Sequence, residues 1–313
     1  MPTNPILRTV SGHEVRPAVF GAMQCGGNAD EAQSRAMLER CRDEGIVHLD
    51  TAYAYTDGES EKIVGRFAAP IRDELFVATK VGLTGGAGRK NLTAQFDRSR
   101  ARLGADQVDL LYLHRFDPET PLEETAEFFA SAKQRGLIRY VGLSNFAAWQ
   151  VMKMIAVAQR LDFTIDVIQP MFSLVKRQAE VELLPMCIGE GVLACTYSPL
   201  GGGLLTGKYA AKESGRLLSE PKYAQRYAPQ WMHDAASGLK AIADREGVHP
   251  ATLAVAWVMH HRYRPAPIVS GRSIEQLEPS LAGLSFEMTP ELNAELSDLT
   301  PTPPPATDRL EEG

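Results

Sequence analysis

The sequence contains few cysteines, and none of them forms a metal-binding or redox motif. Its 313 residues include four cysteines, none in a Cys-x-x-Cys pair: Cys25, Cys41, Cys187 and Cys195. Disulfide-stapled secreted domains and zinc modules carry cysteines that are denser and more regularly spaced. We therefore expect four reduced thiols in or near the core, with no disulfide framework and no metal site.

Long hydrophobic runs and an excess of positive charge are also missing. No stretch approaches the roughly 18 apolar residues that a membrane-spanning helix needs, and Met1–Arg16 lacks the apolar core of a signal peptide. The net charge is -6, and no stripe of Lys and Arg alternates with aromatic residues. We expect a cytoplasmic protein that binds neither membranes nor nucleic acid. No sequence feature indicates an oligomeric state.

A Gly-x-Gly-x-x-Gly motif after the first apolar run is absent as well. In doubly wound dehydrogenases this motif lets the backbone approach the pyrophosphate of a dinucleotide, and it opens the helix that follows. Its absence disfavours that class of fold.

What the chain does contain is a regular alternation of short apolar runs and helical patterns, typical of βα units. The eight runs are Arg16–Met23, Gly45–Asp50, Glu74–Lys80, Asp109–His114, Ile138–Ser144, Thr164–Pro170, Gly191–Ser198 and Ala266–Gly271. They are apolar on both faces, as buried parallel strands are. The pattern predicts an α/β fold, a (β/α)8 TIM barrel, in one domain spanning residues 1–313. Its core would cover about 6–299, and 300–313 would form a tail.

Helix-start signals lie between the runs. Asn28 with Glu31 predicts a capping box at the first helix, and Thr93 predicts the start of another helix. A further helix is expected after Thr120, with Pro121 at its first position, where proline is favoured.

Three segments lie outside the βα repeat. Ile6–Val10 and Glu14–Arg16 flank the turn signal Ser11-Gly12, which predicts an N-terminal β-hairpin that could close the bottom of the barrel. The long segment 201–227 after the seventh run predicts a lid, because long loops in compact domains are usually functional or disordered. The last residues, 301–313, predict a mobile acidic tail.

Polar residues end the predicted strands. They are Asp50, Lys80, His114, Ser144-Asn145, Gln169, Tyr197-Ser198 and Ser270-Gly271-Arg272. Taken alone, each of these residues is more often structural. An Asp commonly caps a helix, a Lys extends its ammonium to the surface, and a His is hydrogen-bonded within the core. Because strand ends of such a barrel meet at one mouth, where barrel enzymes hold their active sites, the joint occurrence predicts an active site there.

Five longer segments around these strand ends resemble the motifs of a known protein family. They are His48–Tyr55, Val77–Lys80, Asp109–Asp117, Gly142–Phe146 and Thr196–Lys208. In order and spacing, from about Ile6 to Leu299, the chain resembles the aldo-keto reductase superfamily. It is most similar to the bacterial and aflatoxin-aldehyde-reductase-like branches and to potassium-channel β subunits. The resemblance implies an enzyme that reduces a small-molecule carbonyl with NADP(H), NAD(H) being possible.

The resemblance also implies the roles of four catalytic residues. Tyr55 would donate the proton, and Lys80 would lower the pKa of that tyrosine. Asp50 would pair with Lys80, and His114 would orient the carbonyl. No metal is implied.

Cofactor contacts follow from the same resemblance. Those implied are Met23; Ser144, Asn145 and Gln169 at the nicotinamide carboxamide; Tyr197 stacking on its ring; Ser198, Pro199, Leu200, Gly202 and Lys208 along the phosphates; and Ser270, Arg272 and Gln276 at the adenosine phosphate. Arg272 suits a 2′-phosphate because a guanidinium binds phosphate bidentately.

The chain departs from many relatives at two places. Pro279 and Ser280 stand where relatives often hold the adenine amine with Glu-Asn, so adenine binding is expected to be weaker or differently made. Thr56-Asp57-Gly58 follows Tyr55 in place of an immediate glycine, which could alter the loop beside the site.

The substrate pocket and two rival functions complete the expectations. We expect a mostly apolar and aromatic pocket wall that includes Gln24, Tyr53, Phe116 and lid residues such as Tyr227 or Trp231. One rival is a regulatory binding module like the channel β subunits, disfavoured by the lack of an N-terminal inactivation-like extension. The other is a barrel aldolase that uses Lys80 for a Schiff base, disfavoured by the accompanying Asp50, Tyr55 and His114.

Overall fold

Eight parallel strands close into a barrel in which each strand pairs with its sequence neighbours and β1 pairs with β8. The computed structural model describes residues 6–208, 216–307, 309 and 311. The strands are β1 Val19–Gly21, β2 His48–Asp50, β3 Phe76–Val81, β4 Val108–Leu113, β5 Ile138–Ser144, β6 Val167–Gln169, β7 Leu193–Thr196 and β8 Ala266–Val269. Each of the eight predicted runs overlaps one strand, and the predicted (β/α)8 barrel is confirmed.

Helices surround the barrel and bury the larger apolar core against it. In the described part of the chain they are α1 Glu31–Asp43, α2 Glu59–Ala68, α3 Arg89–Leu103, α4 Leu122–Gln134, α5 Ala148–Arg160, α6 Leu183–Glu190, α7 Arg216–Ser219, α8 Pro221–Arg226, α9 Gln230–Glu246, α10 Pro250–Met259, α11 Ile274–Gly283 and α12 Pro290–Ser297. None of these helices is long and apolar enough to cross a membrane.

The first helix is capped two residues later than predicted. The backbone N–H of Gln33 donates to Asp30 Oδ1 at 2.8 Å, and the N–H of Asp30 donates to Gln33 Oε1 at 3.1 Å. Asn28 instead donates its side-chain amide to Gln24 Oε1. The capping box exists, but its assignment to Asn28 and Glu31 is wrong, because the turn before α1 occupies Asn28.

Two other predicted helix starts are also displaced. α3 begins at Arg89, four residues before Thr93, and Glu124 of the next helix accepts the N–H of Arg89 at 2.8 Å. Pro121 is the residue before α4, not its first residue, and Thr120 donates its hydroxyl to Asp117. The start of α3 is displaced because Glu124, outside the local pattern, accepts its first N–H, whereas at α4 the carbonyl of Pro121 itself accepts the N–H groups of Glu124 and Thr125.

The predicted N-terminal hairpin is present and covers the bottom of the barrel. Val15 N donates to Leu7 O and Thr9 N donates to His13 O, each at 2.9 Å. Gly12 forms the turn with φ +89°, a conformation open to glycine. Leu7 and Val15 are buried against the apolar side chains inside the barrel, so the N-terminal end is closed.

The predicted lid and tail lie partly outside the described residues. In the long connection after β7, residues 209–215 are not described, and the short helices α7 and α8 follow them. Thr300, the residue before the predicted mobile segment 301–313, is buried, and Arg177 donates to its carbonyl and hydroxyl oxygens. The lid and the mobility of 301–313 stay predictions.

The four cysteines are all free and buried, as predicted. Burial raises the pKa of each thiol above its ordinary value, to about 12 for Cys41 and Cys187. These thiols are therefore protonated at neutral pH.

Candidate active site

Three of the four predicted catalytic residues leave adjacent strands at the C-terminal end of the barrel. Asp50 is the last residue of β2, and Lys80 lies one residue before the end of β3. His114 directly follows β4, and its N–H donates to Val81 O at 2.7 Å. Because the strands are parallel and in register, these side chains converge at one mouth.

Lys80 and Asp50 form a buried ion pair. Lys80 Nζ donates to Asp50 Oδ2 at 2.5 Å and to Thr51 O at 2.9 Å, and Gln169 Nε2 donates to Asp50 Oδ1 at 3.1 Å. Burial would lower the pKa of Lys80, but Asp50 and Tyr55 together leave it above its ordinary value. The lysine is therefore a fixed cation with its charge compensated.

Tyr55 reaches this cation from the loop between β2 and α2. Lys80 Nζ donates to Tyr55 Oη at 3.3 Å. Burial raises the pKa of Tyr55 and outweighs the lowering by Lys80. The prediction of a net lowered pKa is thus wrong: Lys80 acts in the expected direction, but the desolvation of the phenol is larger. Tyr55 is protonated at neutral pH.

His114 lies against Tyr55. The two rings meet edge to face with centroids 5.8 Å apart. Burial, followed by the charges of Lys80 and Arg115, lowers the pKa of His114 to about 3, so the imidazole is neutral. His114 Nδ1 is buried without a hydrogen-bond partner among the described residues. A buried ring nitrogen of this kind can bind a polar group supplied from outside the chain.

A second polar group extends from β5 to β7. Ser144 Oγ donates to Gln169 O at 3.1 Å, and Asn145 Nδ2 donates to His114 O at 3.0 Å. Tyr197 Oη donates to Asn145 Oδ1 at 2.7 Å. Asn145 has φ +59°, a backbone conformation that asparagine tolerates better than most residues. The structure therefore brings Ser144, Asn145, Gln169 and Tyr197 together beside His114.

The chain after Tyr197 turns tightly. Ser198 has φ +61° and Gly202 has φ +64°. A Cβ at Gly202 would lie 2.8 Å from the Tyr223 ring and 2.9 Å from the Tyr227 ring, so only glycine fits there. Pro199 is buried, and the other residues predicted along this path, Leu200, Gly202 and Lys208, are half-buried. Met23 is 36% exposed in the turn after β1.

The predicted phosphate-binding residues after β8 lie at the start of α11. Ser270 Oγ donates to Gly21 O at 2.7 Å and links the ends of β8 and β1. Gln276 Oε1 accepts the N–H of Arg272 at 3.3 Å. The half-exposed guanidinium of Arg272 has no ion pair or hydrogen bond within residues 6–208 and 216–307. It can therefore bind an external anion.

The comparisons with known proteins fit this geometry. The model of the aldo/keto reductase family matches residues 17–300. The chain belongs to the aldo/keto reductase family. An aflatoxin B1 aldehyde reductase member 2 of Rattus norvegicus is 32% identical over 307 residues, covering 90% of this chain and 84% of the relative.

Two further relatives of this aldo/keto reductase carry different names. An L-glyceraldehyde 3-phosphate reductase of Escherichia coli O157:H7 is 33% identical over 278 residues, covering 82% of this chain and 80% of the relative. A probable voltage-gated potassium channel subunit beta of Arabidopsis thaliana is 34% identical over 267 residues, covering 79% and 80%. Enzyme names and a channel-subunit name thus occur among similar chains.

Pro279 and Ser280, the residues predicted at the adenine end of the site, lie in α11. Ser280 is fully buried, and its hydroxyl has no hydrogen-bond partner in the described part of the chain. Pro279 lies inside α11, and its carbonyl accepts the hydroxyl of Thr252 at 2.8 Å. Neither residue offers a solvent-facing polar side chain.

The two lid residues offered for the pocket wall lie in different surroundings. Tyr227 is fully buried, its hydroxyl lies 4.0 Å from Met171 Sδ, and Lys176 covers its ring. Trp231 lines a cavity of about 430 Å³ that also includes Met171 and Pro303, and none of the four predicted catalytic residues lines that cavity. The prediction that Tyr227 or Trp231 lines the substrate pocket stays a prediction.

The remaining predicted walls lie nearer the expected mouth. Phe116 packs edge to face against Phe146 and against the exposed Trp149, with ring centroids 5.4 and 6.0 Å apart. Gln24 is buried beneath Asn28. Tyr53 lies under the guanidinium of Arg102, which is 4.8 Å from its ring centroid.

Arg102 is the residue that sequence reasoning missed. It lies in the last turn of α3, away from any strand end, close to two other arginines of that helix, Arg98 and Arg100. Nothing in its spacing distinguishes it from them. Its contacts with the loop that carries Tyr55 become visible only in the structure.

The described residues contain no group of three or more His, Cys, Asp or Glu side chains placed to hold a metal ion.

Proposed function

We propose that this aldo/keto reductase reduces an aldehyde or ketone to the alcohol with NADP(H). The observation that carries the proposal is the contact of Tyr55 Oη with the ammonium of Lys80, itself fixed by Asp50. A protonated phenol, a buried cation and a neutral imidazole meet at one point. That set can protonate a carbonyl oxygen and orient it.

Each residue has a separate role in the reaction. The nicotinamide coenzyme, when bound, supplies the hydride that adds to the carbonyl carbon. Tyr55 donates its proton to the carbonyl oxygen, and Lys80 stabilises the phenolate that remains. His114 holds the carbonyl oxygen in place through a hydrogen bond. Asp50 keeps Lys80 in position.

The coenzyme is held, in this proposal, by the residues named for it. Ser144, Asn145 and Gln169 bind the carboxamide, and Tyr197 offers its ring face to the nicotinamide. The tight turn after Tyr197 exposes backbone amides to the phosphates. The proposed phosphate contacts are Ser198, Pro199, Leu200, Gly202 and Lys208, with Ser270, Arg272 and Gln276 at the adenosine phosphate. Met23 is a further proposed coenzyme contact. The uncompensated guanidinium of Arg272 favours NADP(H) over NAD(H).

The names of the relatives support a reductase but do not name the substrate of this chain. Two of the three relatives described above are called aldehyde or phosphorylated-aldehyde reductases. The buried cation of Lys80 in contact with the protonated phenol of Tyr55 supports an enzyme. A single domain and a cytoplasmic location stay predictions from the sequence.

Replacing the acid tests the proposal. Tyr55→Phe should lower kcat for carbonyl reduction by at least about a hundredfold, the usual scale for losing a general acid. The affinity for NADPH, measured by fluorescence titration, should stay nearly unchanged. Wild-type protein is first screened with a panel of aldehydes and ketones by the loss of NADPH absorbance.

The matched control is Tyr140→Phe. Tyr140 lies at the opposite end of the barrel, where its hydroxyl accepts the N–H of Arg8. Its removal should leave kcat within about a factor of two of wild type, since it contacts no reacting group. Retention of more than half the activity by Tyr55→Phe would exclude Tyr55 as the proton donor.

A further inference from the structure

The segment Thr51–Gly58, here called the tyrosine loop, holds Tyr55 in an unusual backbone conformation. Thr56 and Asp57, which follow Tyr55, have φ values of +46° and +54°. These lie in the left-handed region, which side-chain-bearing residues seldom adopt unless their surroundings impose it. Contacts from outside the loop must therefore hold this conformation.

Arg102 supplies such contacts on both sides of Tyr55. One terminal nitrogen, Nη1, donates to Tyr53 O at 3.0 Å, and the other, Nη2, donates to Asp57 O at 3.2 Å. The guanidinium plane also covers the Tyr53 ring at 4.8 Å. One planar group thus joins the carbonyl two residues before Tyr55 to the carbonyl two residues after it.

The arginine is itself fixed from the barrel. Its Nη1 lies 3.1 Å from Oε2 of Glu61, a fully buried carboxylate. Glu61 Oε1 accepts the hydroxyl of Thr79 at 2.7 Å, and Thr79 precedes Lys80 on β3. The contacts therefore run from the tyrosine loop through Arg102 and Glu61 to the strand that carries the lysine.

The packing around Gly58 shows how closely the guanidinium fits. A Cβ at this position would lie 2.2 Å from Cζ of Arg102, so only glycine leaves room for the side chain. Gly58 has φ +94° and would strain any other residue as well. The end of the loop and the arginine thus occupy one closely matched space.

We propose that Arg102 is a positioning residue that sets the Tyr55 hydroxyl against the Lys80 ammonium. The proposal rests on the proposed role of Tyr55 as proton donor. The contact between Tyr55 Oη and Lys80 Nζ is 3.3 Å, near the outer limit of a hydrogen bond. A small displacement of the loop breaks it, whereas the ion pair beneath it stays in place.

Arg102→Met is the test variant and Arg100→Met is its control. Both arginines lie on α3 with similar exposure, 17% and 20% of the side chain. Arg100 contacts Asp97 and the carbonyl of Asp106, both outside the tyrosine loop. Both substitutions remove a guanidinium of similar exposure from α3, but only Arg102→Met also takes the partner from the buried Glu61 and releases the loop.

With an aldehyde that wild type reduces, Arg102→Met should lower kcat by about tenfold or more, since misplacing a reacting group by about 1 Å can cost a hundredfold. KM and the affinity for NADPH should stay within about a factor of two of wild type. Arg102→Lys should recover part of kcat, because its ammonium can reach some of the same carbonyls but cannot span all three acceptors. Arg100→Met should keep the wild-type kcat. If Arg102→Met does so too, the inference is overturned.

Hydrogen exchange of the coenzyme-free protein gives a readout independent of catalysis. Tyr53 N donates to Lys80 O at 3.0 Å and Tyr55 N to Ala52 O at 3.1 Å, so both amides are protected. They should exchange at least about tenfold faster in Arg102→Met and at the wild-type rate in Arg100→Met. Unchanged exchange in Arg102→Met overturns the inference, even if Tyr55→Phe is inactive.

The two readouts separate the inference from the proposed function. Faster exchange in an enzyme that reduces no carbonyl would show that Arg102 holds the loop and that the proposed reaction is wrong. If Arg102→Met does not fold, exchange and kcat of Arg102→Lys decide the matter, because Lys keeps the charge beside Glu61. Wild-type values for both in Arg102→Lys would then overturn the inference.

Discussion

Tyr55 and His114 face each other across 5.8 Å, and neither carries a charge at neutral pH. His114 has its pKa lowered to about 3, and burial keeps that of Tyr55 above its ordinary value. The only fixed charges in this group of four residues are those of Lys80 and Asp50, which compensate each other. The proposed reduction thus begins from a site in which the proton already resides on the donor.

Arg272 is the residue on which the proposed coenzyme preference depends. Arg272→Ala should weaken NADPH binding by at least about tenfold, because a charge-assisted hydrogen bond is worth about 1.5–3 kcal/mol. The affinity for NADH, which lacks the 2′-phosphate, should stay nearly unchanged. Fluorescence titration of both coenzymes measures this, with Arg245→Ala as the control, since Arg245 is engaged by Glu295. Equal losses for the two coenzymes would show that Arg272 does not bind the phosphate.

At the residue scale, the sequence predicts which side chains meet but not how strongly burial acts on them. Asp50, Lys80 and His114 are predictable because each follows an apolar run, and parallel strands bring such ends together. The pKa of Tyr55 is not, since the balance between desolvation and the Lys80 charge depends on packing. Arg102 contacts its partners across 41 to 49 positions in the chain, which no local pattern encodes.

At the scale of helices and strands, the sequence predicts that an element exists better than it predicts where a helix begins. Strand existence follows from the apolar runs, whereas helix ends depend on whichever group captures the free N–H donors. Glu124, on α4, captures the N–H of Arg89 on α3, so no signal near Thr93 could place that end. Asn28 and Asp30 both fit the capping pattern, and only the turn before α1 selects Asp30.

The contact between α2 and α3 gives a prediction at this scale. A Cβ at Gly65 would lie 2.4 Å from the carbonyl oxygen of Leu103, a backbone atom that cannot move aside alone. Gly65→Ala should therefore destabilise the protein by about 1–3 kcal/mol, the usual cost of overpacking. Urea unfolding measures the change.

Gly189→Ala is the matched control for Gly65→Ala. Gly189 lies in α6 with nothing within 4 Å of an added Cβ. Its replacement should stabilise the protein by about 0.5–1 kcal/mol, because alanine loses less entropy in a helix than glycine. Equal effects of the two substitutions would show that α2 and α3 are not in close contact at Gly65.

Across the whole molecule, buried neutral histidines couple stability to pH. Burial lowers the pKa of His48 and His114 to about 3 and that of His261 to about 4. The unfolded chain binds protons at these sites below about pH 6.5, whereas the folded protein does not until nearly pH 4. The contribution of these histidines to the free energy of unfolding is therefore fully present above about pH 6.5. It falls as the pH drops, by up to about 1.4 kcal/mol per pH unit for each histidine.

Urea unfolding at pH 7 and pH 5 measures this loss. His48→Gln should reduce the difference between the two pH values, because one titrating group is removed. Tyr140→Phe, which changes no histidine, should leave the difference unchanged. A free energy of unfolding that is equal at both pH values would contradict the neutral assignment of these histidines.

The barrel as a whole is the most predictable level, because eight repeated βα patterns leave few alternative topologies. The hairpin of Leu7 and Val15 is also readable from its turn signal. The attachment of Thr300 cannot be predicted from the local sequence, because Arg177, which donates a hydrogen bond to it, lies 123 positions earlier. Contacts of that range follow from the closed shape and not from any local composition.

The buried thiols have a chemical consequence for the proposed reduction of aldehydes. Reactive carbonyls, above all α,β-unsaturated ones, alkylate cysteine as its thiolate. Here all four thiols are enclosed and protonated. Ellman's reagent should therefore label no cysteine in the native protein and all four after denaturation, and prolonged exposure to an unsaturated aldehyde should leave the activity intact. A protein without a reachable thiol resists alkylation by the electrophiles that it is proposed to reduce.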